Sequence, residues 1–173
     1  MRTLLLLRGA PGSGKSTYIE KNGLKPYTLS ADDIRLLHGS PRLMPDGKNV
    51  ISNKADSVVW KTLFDILEIR MQNGEFTVID ACNSKTSEIG RYRTLADKYR
   101  YRIFIVDFTD VPLERCIEQN KKRPEYNGFQ MKLLKISIQD LQLKKYHQEL
   151  KLLNPMNLMR LWRNQLIYLN IRK

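Results

Sequence analysis

The chain has 173 residues, 42% of them hydrophobic, which suits one domain with a packed core. Its 30 Lys/Arg against 18 Asp/Glu give a formal net charge of +12, a balance that invites a nucleic-acid partner. The longest apolar run near the start is too short to span a membrane and lacks the form of a signal peptide, and two cysteines, Cys82 and Cys116, make neither a disulfide framework nor a zinc pattern, so a reducing, cytoplasmic setting is expected.

Residues 2–7 are apolar toward both faces and predict a central parallel strand. Gly9-Ala10-Pro11-Gly12-Ser13-Gly14-Lys15-Ser16 follows at once in the spacing G-x-x-x-x-G-K-S, and residues 17–21 predict a helix behind it. A loop that cradles a triphosphate needs this order. Glycines let backbone N–H groups turn inward on phosphate oxygens with no Cβ in the way, and the helix presents its positive end to the same anion. Lys15 is then placed to reach the β- and γ-phosphates of ATP and Ser16 to hold Mg²⁺, with Gly9 to Gly14 and Thr17 completing the nucleotide site. The competing reading is a Gly/Pro turn with a chance lysine.

Gly23 and Pro26 break the chain, residues 27–30 predict a short strand, and Asp32-Asp33 open a helix to about Leu37. Residues 40–48 are polar and rich in Pro/Gly and predict a mobile surface loop. A long amphipathic helix follows, with Ala55, Val58, Val59, Leu63, Ile66, Leu67 and Met71 recurring at three- and four-residue steps and Asn73-Gly74 as its stop. Residues 76–80 predict a strand ending in Asp80, residues 85–99 a helix capped by Asn83 or Ser84, and residues 102–107 a further buried strand. Pro112 suits a first helical turn, so a helix is expected from there to Asn120, leading into Lys121-Lys122-Arg123. Strands alternating with helices predict an α/β architecture, a parallel sheet covered on both faces, with functional residues at the carboxyl ends of the strands.

A phosphate loop by itself implies only nucleoside-triphosphate binding. Ser30-Ala31-Asp32-Asp33-Ile34-Arg35 adds an acceptor side. Asp32 and Arg35 are three apart on a helix and share a face, where a carboxylate can orient and deprotonate an attacking hydroxyl and an arginine can clamp an acceptor phosphate. Asp80 suits the surroundings of Mg²⁺ or the acceptor, with Asn83 beside it, and Arg123 can close over the triphosphate as charge develops in transfer. Each has a plainer reading: Asp32, Asp33 and Asp80 as caps or turn formers, Arg123 as a solvated helix end. Cys82 reads as a small buried residue.

Taken together, Gly9 to Ser16, Ser-x-Asp-Asp-x-x-Arg, Ile-Asp-Ala-x-Asn and Asn120-Lys121-Lys122-Arg123 make residues 1–126 resemble the polynucleotide 5′-hydroxyl kinase family of phage and bacterial RNA-repair enzymes. The resemblance implies a P-loop kinase-like α/β fold with a helical lid, ATP and Mg²⁺ as cofactors, a nucleic-acid 5′ end as substrate, and ligase or phosphatase partners. It implies Lys15 and Ser16 in the phosphate loop, Asp32 as general base, Arg35 on the acceptor phosphate, Asp80 positioning the acceptor and Arg123 on the lid. It departs at Gln119, where the phage pattern has a further arginine. The alternatives are a small-molecule kinase of the same fold and an ATP-binding switch protein with no acceptor.

Residues 127–173 read differently. They hold nine Lys/Arg against two Asp/Glu, are dominated by Leu, Asn, Lys and Gln, and show no clear final strand. Back-translated with suitable A/T-rich codons and shifted in frame, the stretch reads as a Pro-led acidic helix start and an alternating strand, much like the missing lid and last strand. An out-of-frame tail beginning near Tyr126 is therefore expected, and the coding DNA decides it. The alternative is a lysine-rich amphipathic helix with Trp162 and Leu166 packed on the core.

Overall fold

The computed structural model describes residues 2–45, 47, 49–51, 56–84, 86–122 and 166–170. Five parallel strands form its main sheet: β1 (Thr3–Arg8), β2 (Thr28–Ser30), β5 (Thr77–Asp80), β6 (Arg102–Asp107) and β7 (Leu166–Asn170), in the order β2-β5-β1-β6-β7. The expected central place of the first strand is the observed one. In β1 the register pairs Leu4 with Thr77 on one side and with Ile103 on the other. Alternation explains why this strand needs four leucines in a row. Leu4 and Leu6 face one cluster of buried residues, Leu5 and Leu7 the other, and Leu4, Leu6 and Leu7 are wholly buried.

The first cluster is built by α2 (Ala31–His38), α3 (Asp56–Gln72) and α4 (Thr86–Tyr99). Val59, Leu63, Leu67 and Met71 of α3, a strict four-residue repeat, are all at 0% exposure. Val58, grouped with them on spacing, is instead half-exposed, because it lies one residue off that stripe. Gly74 stops α3 as expected, with a left-handed φ of 75°; its N–H donates to Met71 and the Glu75 N–H to Arg70. The second cluster lies on the opposite face, where Ile19 of α1 (Lys15–Lys21) meets Leu5, Leu7, Val78 and Val106. Helices therefore cover both faces, as expected. Among the described residues no helix is long and apolar enough to cross a membrane.

Three expectations need correction. The stretch read as a loop, residues 40–48, contains a short strand, β3 (Arg42–Leu43), which pairs antiparallel with β4 (Asn49–Val50) just beyond it; two-residue strands leave no periodicity to detect. Pro112 immediately precedes α5 (Leu113–Lys121) in an extended conformation (φ −58°, ψ 148°) rather than forming its first turn. The tail, read as lacking a strand, supplies β7, whose apolar run pairs in parallel with β6 from Ile103–Leu166 to Asp107–Asn170. The rest of residues 127–173, and with them the expected lid, lie outside the described residues.

Candidate active site

The loop after β1 is stapled to its neighbours through the backbone. The Gly9 N–H donates to the Cys82 carbonyl beyond β5, and the Phe108 N–H beyond β6 donates to the Arg8 carbonyl. Both bonds sit at the carboxyl edge of the sheet, where an α/β fold leaves its crevice. Within the loop Gly9, Gly12 and Gly14 have φ of 152°, 78° and 100°, values that an L side chain resists. At Gly9 a Cβ would stand 2.8 Å from the Phe108 Cβ and the Ser13 Oγ, and at Gly12 it would run into the Cys116 carbonyl of α5. The loop and α5 thus touch backbone to backbone. Gly12→Ala is expected to cost about 2–4 kcal/mol, from strain and a displaced helix, and to weaken nucleotide binding as well; a thermal melt with and without ATP checks both effects.

Lys15, the first residue of α1, is 5% exposed. Its Nζ donates to the carbonyls of Gly9 and Ala10, each at 2.8 Å. An ammonium has three N–H donors, so one remains for an anion in the cradle. Ser16 is exposed and lines the same cavity, of about 260 Å³, with Pro11, Asp32, Arg35 and Asp80. These features fit a triphosphate with Mg²⁺: glycines where a Cβ would intrude, a buried cation, and an open hydroxyl. Among the described residues no group of three or more His, Cys, Asp or Glu could hold a metal. A site for Mg²⁺ does not need one, since the ion takes one or two protein oxygens together with substrate phosphates and water.

The wall of the cavity that carries Asp32, Arg35 and Asp56 is built by α2 and α3. Ser30 is the N-cap of α2, its Oγ accepting from the Asp33 N–H at 3.3 Å, and Asp33 pairs with Lys25 at 3.2 Å on the surface. The capping reading of Asp32 is thereby removed. Asp32 Oδ1 instead takes a bond from Arg35 Nη1 at 2.7 Å, as their spacing predicts. Arg35 also donates through Nε to Oδ1 of Asp56, the first residue of α3, at 2.8 Å, and its Nη2 forms an ion pair with the same oxygen at 2.8 Å. The guanidinium side chain is 13% exposed, whereas Asp32 and Asp56 are 49% and 43% exposed. Arg35 is therefore fixed by two carboxylates that water still reaches.

Asp80 ends β5 and lines the cavity. Asn83 lines it too, at 2% exposure and with a left-handed φ of 47°. Its Nδ2 donates to the Leu7 carbonyl at 2.7 Å, so it ties β1 to the turn after β5 rather than capping α4, and its Oδ1 meets no partner among the described residues. Cys82, expected to be buried, is partly exposed in the cavity wall; desolvation still pushes its thiol pKa up, which makes it a poor nucleophile. Thr17 is exposed. Arg123 lies outside the described residues.

Sequence reasoning missed Asp56, Trp60 and Glu88, all in the cavity wall. Asp56 and Trp60 are four apart at the start of α3, so they share a face of that helix; a carboxylate and an aromatic at that spacing, just where the apolar stripe begins, was the available signal.

Fold and site together define a P-loop kinase-type enzyme: a strand, glycine loop and helix for a nucleotide, and an acid–arginine pair across the same cavity. The AAA domain family model matches residues 4–147, and the chain belongs to that family. It is 28% identical over 132 residues to a protein of Autographa californica nuclear polyhedrosis virus named as a candidate bifunctional polynucleotide kinase/RNA ligase; the match covers 72% of this chain and 18% of that protein. Among solved structures, the Pnkp1/Rnl/Hen1 complex superposes with a TM-score of 0.54 at 27% identity, over 67% of this chain and 38% of the other. A candidate kinase from Chloroflexus aurantiacus superposes with a TM-score of 0.55 over 82% of this chain and 76% of its own; at 18% identity it speaks to fold alone. The chain thus spans only a minor part of the two relatives with the higher identities.

Proposed function

We propose that this chain is a polynucleotide 5′-hydroxyl kinase domain, which moves the γ-phosphoryl of ATP to the 5′-hydroxyl of RNA or DNA. The observation that carries the reading is the Asp32–Arg35 pair, 2.7 Å apart and lining one cavity with Lys15 and Ser16. Lys15 holds the β- and γ-phosphates, and Ser16 is a ligand of Mg²⁺, which screens the phosphate charge during transfer. Asp32 uses the oxygen not held by Arg35 to orient the 5′-hydroxyl and take its proton. The bond from the 5′-oxygen of the acceptor to the γ-phosphorus forms as the bridge to the β-phosphate breaks, and ADP leaves with the bridging oxygen. Arg35 grips the 3′-phosphate of the acceptor nucleotide, Asp80 and Asn83 line its path, and Arg123 closes over the triphosphate. The name of the viral relative and the likeness to the Pnkp1/Rnl/Hen1 complex support this choice of acceptor, and a new 5′-phosphate is what a ligase consumes, so a ligase is the expected partner.

The test is transfer of label from γ-labelled ATP, with Mg²⁺, to a 5′-hydroxyl oligonucleotide, to a nucleoside 3′-monophosphate, and to water. Label on the oligonucleotide, with the monophosphate as a weaker acceptor, is the expected result. Label on neither, with hydrolysis that the oligonucleotide leaves unchanged, rejects the reading in favour of an ATP switch.

A further inference from the structure

Arg35 has five N–H donors in a rigid planar fork. Asp56 occupies one side of that fork, its Oδ1 accepting from Nε and forming an ion pair with Nη2, and Asp32 takes one donor of Nη1. Among the described residues each terminal nitrogen therefore keeps at least one N–H outside a hydrogen bond. Nη1 and Nη2 together make an edge of the kind that matches two oxygens of a phosphate. A free arginine side chain would have to be ordered for such contact at an entropic cost; here the cost is met before the acceptor arrives. Asp32 cannot supply this orientation alone, because it holds a single terminal nitrogen and must itself stay available to the hydroxyl.

From this geometry we infer that Asp56 is a positioning residue for acceptor recognition. By anchoring the Nε–Nη2 side of Arg35, it leaves the outer edge of the guanidinium free for the phosphate on the 3′ side of the acceptor sugar, and so gives the site its preference for a nucleotide over an uncharged nucleoside. The inference rests on the acceptor reading above. It predicts no contact between Asp56 and the substrate, and no role for Asp56 toward ATP. The plainer role of Asp56, an acid in the first turn of α3, is worth at most about 1 kcal/mol of helix stability and predicts no acceptor selectivity at all.

The experiment measures equilibrium binding of adenosine 3′-monophosphate and of adenosine to the full chain, saturated with a non-hydrolysable ATP analogue. The wild type is expected to favour the monophosphate. Asp56→Asn should lower that preference about tenfold, the range of one charged hydrogen-bonded contact, with binding of adenosine and of the ATP analogue unchanged. Asp56→Glu should recover part of it. Arg35→Ala should erase the preference, and adding Asp56→Asn to Arg35→Ala should cost nothing more, since one acts through the other. An equal loss for both ligands, additive effects of the two changes, tighter monophosphate binding in Asp56→Asn, or no preference in the wild type would each overturn the inference. Failure of the kinase reading looks different: the binding preference and its loss stay in place while no label reaches an oligonucleotide.

Discussion

Asp32→Asn is expected to reduce phosphoryl transfer about a thousandfold, within the span measured for removal of a general base, while ATP affinity changes by less than about twofold. The substitution is chosen for its geometry. An asparagine Oδ1 can still accept from Arg35 Nη1, which lies 2.7 Å from the present carboxylate oxygen, so the guanidinium keeps its place between α2 and α3. What is lost is the negative charge and the capacity to take a proton. Asp32 sits in the first turn of α2, behind the Ser30 cap, so the helix keeps its start. Single-turnover transfer to a 5′-hydroxyl oligonucleotide and a separate ATP titration divide the two effects. Loss of ATP binding in this variant would place Asp32 on the nucleotide and remove it as the base; unimpaired transfer would leave the hydroxyl without need of a base here.

Lys15→Met is expected to weaken ATP binding at least about a hundredfold and to abolish transfer within the limits of the assay. The methionine side chain has nearly the length of lysine, so the space is filled while the charge goes. Two consequences follow from the same atoms. The carbonyls of Gly9 and Ala10 lose the donor that each now has at 2.8 Å, in a position where Lys15 is only 5% exposed, so the empty loop loses about 1–3 kcal/mol for each buried acceptor left unpaired. The triphosphate loses the one buried cation among the described residues that lines its cavity. A thermal melt of the nucleotide-free protein reports the first, and an ATP titration the second. A variant that binds ATP normally would show that backbone amides alone hold the phosphates.

The phosphate loop was legible because its constraints are local: glycines at positions of positive φ, a lysine and a serine at fixed offsets, a strand before and a helix after. The buried strands were legible for a similar reason, since Leu4 to Leu7 leave no polar face in either direction. The pairing of Asp32 with Arg35 was legible too, three residues apart on one helix. Asp56 was not. It stands 21 residues beyond Arg35, and only the packing of α3 against α2 brings it within 2.8 Å of Nε. Nor was the part played by Asn83: residue type and position suggested a helix cap, but its Nδ2 reaches back 76 residues to the Leu7 carbonyl, because β5 and β1 are neighbours in the sheet.

Sequence alone therefore determined the glycine loop and, apart from β3, β4 and β7, the alternation of strands and helices, since spacing and periodicity act within a few residues of the chain. Tertiary structure alone decided how Asp32, Arg35 and Asp56 are brought together. The orientation of one guanidinium between carboxylates of α2 and α3, and the backbone contact of Gly12 with α5, depend on which elements pack side by side on the sheet, and no short-range pattern encodes that.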